Sequence, residues 1–129
     1  MNKQEQIAFL KDKLLKEQDY ICPLCEADML QMEVKNRCLD HDHETGLVRA
    51  VVCRNCNSME GKITGCIRRA KRNLTKEHWF SNLINHWEAP IAYALNIIHP
   101  NYKTPYQKKE LRNKRARRKS KANRNTRAT

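Results

Sequence analysis

Four consecutive residues, Asp40-His41-Asp42-His43, alternate carboxylate and imidazole within the segment CLDHDHETG at 38–46. Side chains of these two types either hold metals or move protons. Shortly after comes VVCRNCN at 51–57, in which Cys53 and Cys56 are three apart and Asn57 follows directly. A second pair, Cys22-Pro-Leu-Cys25, lies upstream, with 27 residues between the pairs. Two such C-x2-C knuckles can close a tetrahedral four-thiolate zinc site with no open position. Cys22, Cys25, Cys53 and Cys56 are therefore read as structural zinc ligands, in preference to redox pairs. A closed site of four thiolates needs neither His41 nor His43. Cys38 and Cys66 are left over and are read as buried small hydrophobes.

With zinc assigned to sulfur, the oxygen and imidazole groups are free for other chemistry. Asp and Asn oxygens suit a hard cation such as Mg²⁺. Imidazole is the side chain best suited to exchange a proton with water near neutral pH. Together these are the parts of a one-metal phosphodiester hydrolase. Strand geometry raises an objection, because neighbouring residues of a regular strand face opposite ways. Asp40 and His41 can serve one substrate only where the strand bends, bulges or ends. The residues by themselves leave open whether Asp40 or Asp42 is the metal-facing acid.

The elements that must position these groups can be read in outline. Ile7, Leu10 and Leu14 give residues 2–17 a helical apolar stripe. Residues 37–52 read as a β-hairpin with ETG at 44–46 as its turn, where Gly46 can supply a positive φ. A helix is expected from about Asn55 to the basic stretch RRAKR at 68–72. A second starts near Thr75, a suitable N-cap, and stops before Pro90; a further short one falls within 91–98. Its residues Trp79, Leu83 and Trp87 recur every fourth position, flanked by Phe80 and Ile84. That stripe is either the domain's own core or a seam between two copies of the chain.

Charge divides the chain. Residues 1–102 hold fourteen Lys/Arg against thirteen Asp/Glu, whereas 103–129 hold twelve against one. The division predicts a body at 1–102 and a basic tail at 103–129, disordered or helical only on its partner. Lys108, Lys109, Arg112, Lys114, Arg115, Arg117, Arg118, Lys119 and Lys121 are its candidate phosphate-binding residues, with a solvated solubilising arm as the plainer reading. The N-terminus is charged throughout and reads as no secretory signal. The apolar run APIAYALNII at 89–98 is too short to span a bilayer. An intracellular protein with no membrane partner is expected.

The stretch LDHDHETGLVRAVVCRNCNSMEG, preceded by Cys22-x2-Cys25 and followed by NIIHPNY at 96–102, resembles the recombination endonuclease VII family of bacteriophages, a branch of the His-Me finger (HNH-type, ββα-metal) nucleases. The resemblance implies a mainly α fold around a small zinc-held ββα unit, as an intertwined helical dimer. It implies a catalytic magnesium or manganese ion on Asp40 and Asn57, and His41 as general base. His43 would support the scissile phosphate, Glu60 would stand one helical turn after Asn57, and the four paired cysteines would hold structural zinc. Asp42 would be an orienter or a surface acid. The implied activity is metal-dependent DNA cleavage, either resolving branched (Holliday junction) DNA or nicking less selectively, in the cytoplasm of an infected bacterial host. His78 stands where junction-resolving members carry Glu before the Trp. The alternative function is a non-catalytic zinc-containing protein that binds nucleic acid or regulates the host.

Overall fold

The computed structural model describes residues 1–128. In chain order it contains helix α1 (Lys3–Glu17), a 3-10 turn (Val34–Asn36), strands β1 (Arg37–His41) and β2 (Val48–Cys53), and helix α2 (Arg54–Ala70). Helix α3 (Lys76–Glu88), a second 3-10 turn (Tyr93–Leu95) and helix α4 (Pro105–Ala128) follow. The architecture is mainly helical with one two-stranded antiparallel sheet. Residues up to Ile84 form one compact unit and those from Asn85 onward a second.

In the first unit, α1 opens with a capping box, Asn2 and Glu5 each accepting the other's backbone N–H at 2.8 and 3.0 Å. Its predicted stripe is only partly used. Leu15 is buried and Leu14 packs beside it, while Ile7 and Leu10 are exposed. Just after the helix, the Gln18 side chain behaves like a piece of strand. It accepts from Val51 N at 2.8 Å and donates to Val51 O at 2.8 Å, tying the end of α1 to β2.

Next comes the first cysteine knuckle. Cys22 N donates to Ala27 O and Glu26 N to Cys22 O, with Glu26 at φ +64° to complete the tight reversal. Arg37, at the start of β1, donates to the carbonyls of Met29 and Leu30 and fastens this loop to the sheet. The core is small: Leu15, Cys22, Met29, Val51, Val52, Cys53 and Cys56. Three of these seven are cysteines from the two knuckles, so the packing centre and the metal-binding cluster coincide.

The hairpin forms as predicted. Asp42 N donates to Leu47 O and Gly46 N to Asp42 O, and Gly46 takes φ +77°. Cys53 ends β2 and caps α2, its Sγ accepting from Cys56 N at 3.4 Å. Thr75 caps α3, its hydroxyl accepting from His78 N at 3.1 Å.

Two expectations need adjustment. Cys38 does pack against the core, but Cys66 is exposed on α2 instead of buried. The α3 stripe is not the core of a single chain either, because no residue of α3 is buried and Trp87 is 62% exposed. In the second unit, residues 105–128 are one continuous helix where the composition predicts an arm that is disordered or helical only on a partner. Among the described residues, no helix is long and apolar enough to cross a membrane.

Candidate functional site: a four-cysteine cluster beside a bulged hairpin

The four paired cysteines converge. Sγ atoms of Cys22, Cys25, Cys53 and Cys56 all lie within 4.8 Å of one another. Among the described residues they form the one group of three or more His, Cys, Asp or Glu side chains placed to share a metal. A tetrahedral site with Zn–S bonds of about 2.3 Å requires sulfur–sulfur separations of about 3.8 Å. The Cys25–Cys53 separation is 3.8 Å. The residues therefore fit zinc in both donor type and spacing. Electrostatics point the same way. Burial pushes the Cys22 thiol up, but N–H groups of Cys25, Cys53 and Leu24 outweigh it and bring the value down to about 7. Burial and the other three cysteines push Cys56 up.

The cluster has a positional consequence. A zinc ion held there would fix Cys53 and Cys56 and so anchor the first turn of α2, and with it Asn57, at the end of the strand that pairs with β1. Asn57 is half-buried and its side-chain amide makes no hydrogen bond within the described residues.

On β1, the ladder runs Arg37↔Cys53, Cys38↔Val52, Leu39↔Val51 and Asp40↔Ala50, then jumps to His41↔Val48. The register shift falls between Asp40 and His41, and Arg49 is the extra residue on β2. The bulge disturbs the alternation of β2, not of β1; His41 is instead the last residue of β1, where the strand ends. Asp40 is buried, at 7% exposure, while His41 and His43 are exposed with ring centroids 4.6 Å apart.

Asp42 has a different task. Its Oδ1 accepts from Glu44 N at 2.8 Å and from Thr45 N at 3.3 Å, forming the turn. Those two N–H groups hold its carboxyl below the usual 3.8. Asp42 is thus tied to the loop backbone, whereas Asp40 is tied through Arg49 to Glu60 on α2.

The sequence reading missed Arg49. It donates Nε–H to Asp40 Oδ2 at 2.8 Å and Nη2–H to Asp40 Oδ1 at 2.9 Å, a bidentate pair. The same Nη2 lies 3.2 Å from Glu60 Oε1. Glu60 is held in place in turn, its Oε1 accepting from Thr64 Oγ1 at 2.9 Å. The hydrogen bonds to Asp40 push the guanidinium further above its usual range, with Glu60 adding to them, so the pairing does not open by proton loss. A lone Arg inside the otherwise apolar LVRAVV, across a hairpin from an acid, was the signal available. Arg68 adds an outer tie from α2 to the hairpin loop, 3.0 Å from Glu44.

Asp40, Arg49 and Glu60 thus form a chain of charges linking the bulge to α2, one turn beyond Asn57. The carboxylate and amide oxygens of Asp40 and Asn57 are of the type a hard cation takes. In this structure both Asp40 oxygens are engaged by Arg49. On α4, Lys108, Lys109, Arg112, Lys114, Arg115, Arg117, Arg118, Lys119 and Lys121 are all exposed. A family model described as recombination endonuclease VII matches residues 2–77, a span that includes the cysteine cluster, the hairpin and α2.

Proposed function

The chain belongs to the recombination endonuclease VII family, and on that premise we propose that it is a metal-dependent DNA endonuclease of the His-Me finger type acting on branched DNA. The observation that supports this reading is that β1 ends at His41, so that an exposed imidazole directly follows the buried acid Asp40 at the point where regular strand alternation stops.

In this reading Asp40 and Asn57 hold a magnesium or manganese ion. Bound there, the ion supplies Lewis-acid stabilisation of the departing 3′-oxygen, leaving 5′-phosphate and 3′-hydroxyl ends. His41 accepts the proton of the attacking water. Its exposure permits a phosphodiester to approach, and the neighbouring His43 ring limits where it can turn and faces the scissile phosphate. Glu60 acts through Arg49 and Thr64 to keep the α2 wall of the site in place. The zinc takes no part in the chemistry; it sets the angle between hairpin and helix.

Helix α4 is the second DNA contact. Its 24 residues span about 36 Å at about 1.5 Å per residue, roughly one turn of duplex. Cations surround it on every side, so it reads phosphate charge without a defined face. The exposed apolar stripe of α3 is the seam for a second copy of the chain, and two copies bring two active centres to one four-way junction.

The test compares a four-way junction, a linear duplex and a supercoiled plasmid, each with Mg²⁺ and with a chelator that spares the zinc. Metal-dependent cleavage with the fastest rate on the junction is expected. Equal rates on all three would reduce the proposal to a nicking enzyme, and no cleavage of any would leave a non-catalytic zinc-containing DNA-binding protein.

A further inference from the structure

The Arg49 contacts raise a question about the cation site that the proposed function leaves open. A cation on Asp40 would meet a carboxylate both of whose oxygens already accept from a single guanidinium, at 2.8 and 2.9 Å, so that two positive charges would share one acid. Arg49 is itself held from the far side by Glu60 at 3.2 Å, and Glu60 by Thr64 at 2.9 Å. The arrangement is anchored at three points and is not a loose surface pair. Its inner member is nearly enclosed, with the Asp40 side chain 9% exposed, while that of Arg49 is 34% exposed and has a route outward.

The fold places this arginine deliberately. Arg49 is the residue skipped by the ladder at the bulge, between Ala50, which pairs with Asp40, and Val48, which pairs with His41, and this frees Arg49 to reach across to Asp40. A regular hairpin would carry a residue at this point in register with β1, with its direction set by the pleat.

We propose that Arg49 is a positioning residue that locks the Asp40 carboxylate and competes with the catalytic cation for it. Before a divalent ion binds, the guanidinium supplies the positive charge that the buried acid requires and holds it in a single orientation. Loading the cation sets a second positive charge against the guanidinium, and this repulsion drives Arg49 to loosen its hold on Asp40 and turn toward Glu60 and solvent. No bond is made or broken covalently, and both partners keep their charges through the exchange. The consequence is weak cation binding by the free protein, at a site that is nonetheless pre-shaped. The inference rests on the reading of Asp40 as a cation ligand, so its test must separate the two.

The experiment is Mn²⁺ titration of the full-length, zinc-loaded protein without DNA, followed by calorimetry and by the electron paramagnetic resonance signal of free Mn²⁺. Five proteins are compared: the wild type, Arg49→Met, Arg49→Lys, Asp40→Asn and the double variant Arg49→Met/Asp40→Asn. Arg49→Met is expected to bind Mn²⁺ at least about tenfold more tightly, the scale of a lost charge-assisted pairing, and Asp40→Asn is expected to abolish that gain in the double variant. Arg49→Lys, which keeps the charge but loses the two-pronged geometry, should fall between wild type and Arg49→Met. Retention of zinc by each variant reports that the fold is intact, and if Arg49→Met loses zinc, Arg49→Lys alone decides by binding more tightly than wild type or not.

Unchanged or weaker Mn²⁺ binding by Arg49→Met, with Asp40→Asn still weakening the wild-type site, would overturn the lock and leave the cation site standing. The same gain in the Asp40→Asn background would overturn it too, as a general charge effect. Indifference of the wild-type site to Asp40→Asn would instead remove the cation site, and the lock with it.

Discussion

At the residue scale, four adjacent polar side chains divide into distinct tasks. Asp40 is buried against Arg49, Asp42 builds the loop, and His41 and His43 remain exposed. The division was only partly legible. Two adjacent residues meant for one substrate demand a bend, a bulge or a strand end; the bulge lies on the opposite strand, and it is β1 that ends at His41. The partner of Asp40 was not legible, because a residue beside a bulge obeys no alternation rule and its direction depends on the fold around it.

Asp42 yields a prediction with a definite sign. Its carboxyl lies below the usual 3.8, held by the N–H groups of Glu44 and Thr45. The turn's contribution to stability is therefore complete above that value and is lost as pH falls through the lower folded one. The Glu44 amide resonance, followed through acid titration, should move at that lower value. Movement centred at or above 3.8 would contradict the assignment. Asp42→Ala should fray the loop, lowering cleavage while leaving zinc bound.

At the element scale, Gln18 shows what periodicity cannot anticipate. The α1 stripe suggested Ile7, Leu10 and Leu14 as the buried face, whereas Leu15, with Leu14 beside it, and the Gln18 side chain make the inward contacts and Ile7 and Leu10 stay exposed. The sheet has only two strands, so the backbone of Val51 on its open edge needs a partner, and a side-chain amide from the adjacent helix end supplies both a donor and an acceptor. Gln18→Leu leaves those groups unpaired and should cost about 1–3 kcal/mol, measured as a shift in the denaturation midpoint of the zinc-loaded protein. A change within error would show that water replaces the amide.

Helix α4 is the element whose existence composition argued against, given eleven cations among its 24 residues. Truncation after Tyr102 should weaken DNA binding broadly and flatten its dependence on salt, since fewer counterions are released. Zinc content should not change. Affinity and salt slope that both survive the truncation would remove α4 from the DNA interface.

At the scale of the whole molecule, the first unit is built around its four-cysteine cluster as much as around apolar packing. Seven residues make up the buried cluster, and the cysteines contribute three of them. Structural zinc in small domains is worth about 10–16 kcal/mol of apparent binding energy, more than so small a core supplies. Stripping zinc should therefore unfold the hairpin and the start of α2 together, seen as loss of amide protection from residue 37 to about residue 60. Withdrawing only the catalytic cation should leave that protection intact. The cysteine spacing made this part of the fold readable from the chain alone, because two tight knuckles constrain the intervening geometry strongly. The α3 stripe was ambiguous for the opposite reason: apolar spacing reports that a face needs covering and says nothing about which chain covers it.

The central claim is that a bulged hairpin presents His41 to water beside a cation held by Asp40. Single-turnover cleavage of a four-way junction by wild type and His41→Ala, both zinc-loaded and both saturated with Mg²⁺, tests it most directly. The account predicts a fall of about a hundred- to ten-thousand-fold for the variant, with junction affinity preserved. Equal rates in the two proteins, or no Mg²⁺-dependent cleavage by the wild type, would contradict it.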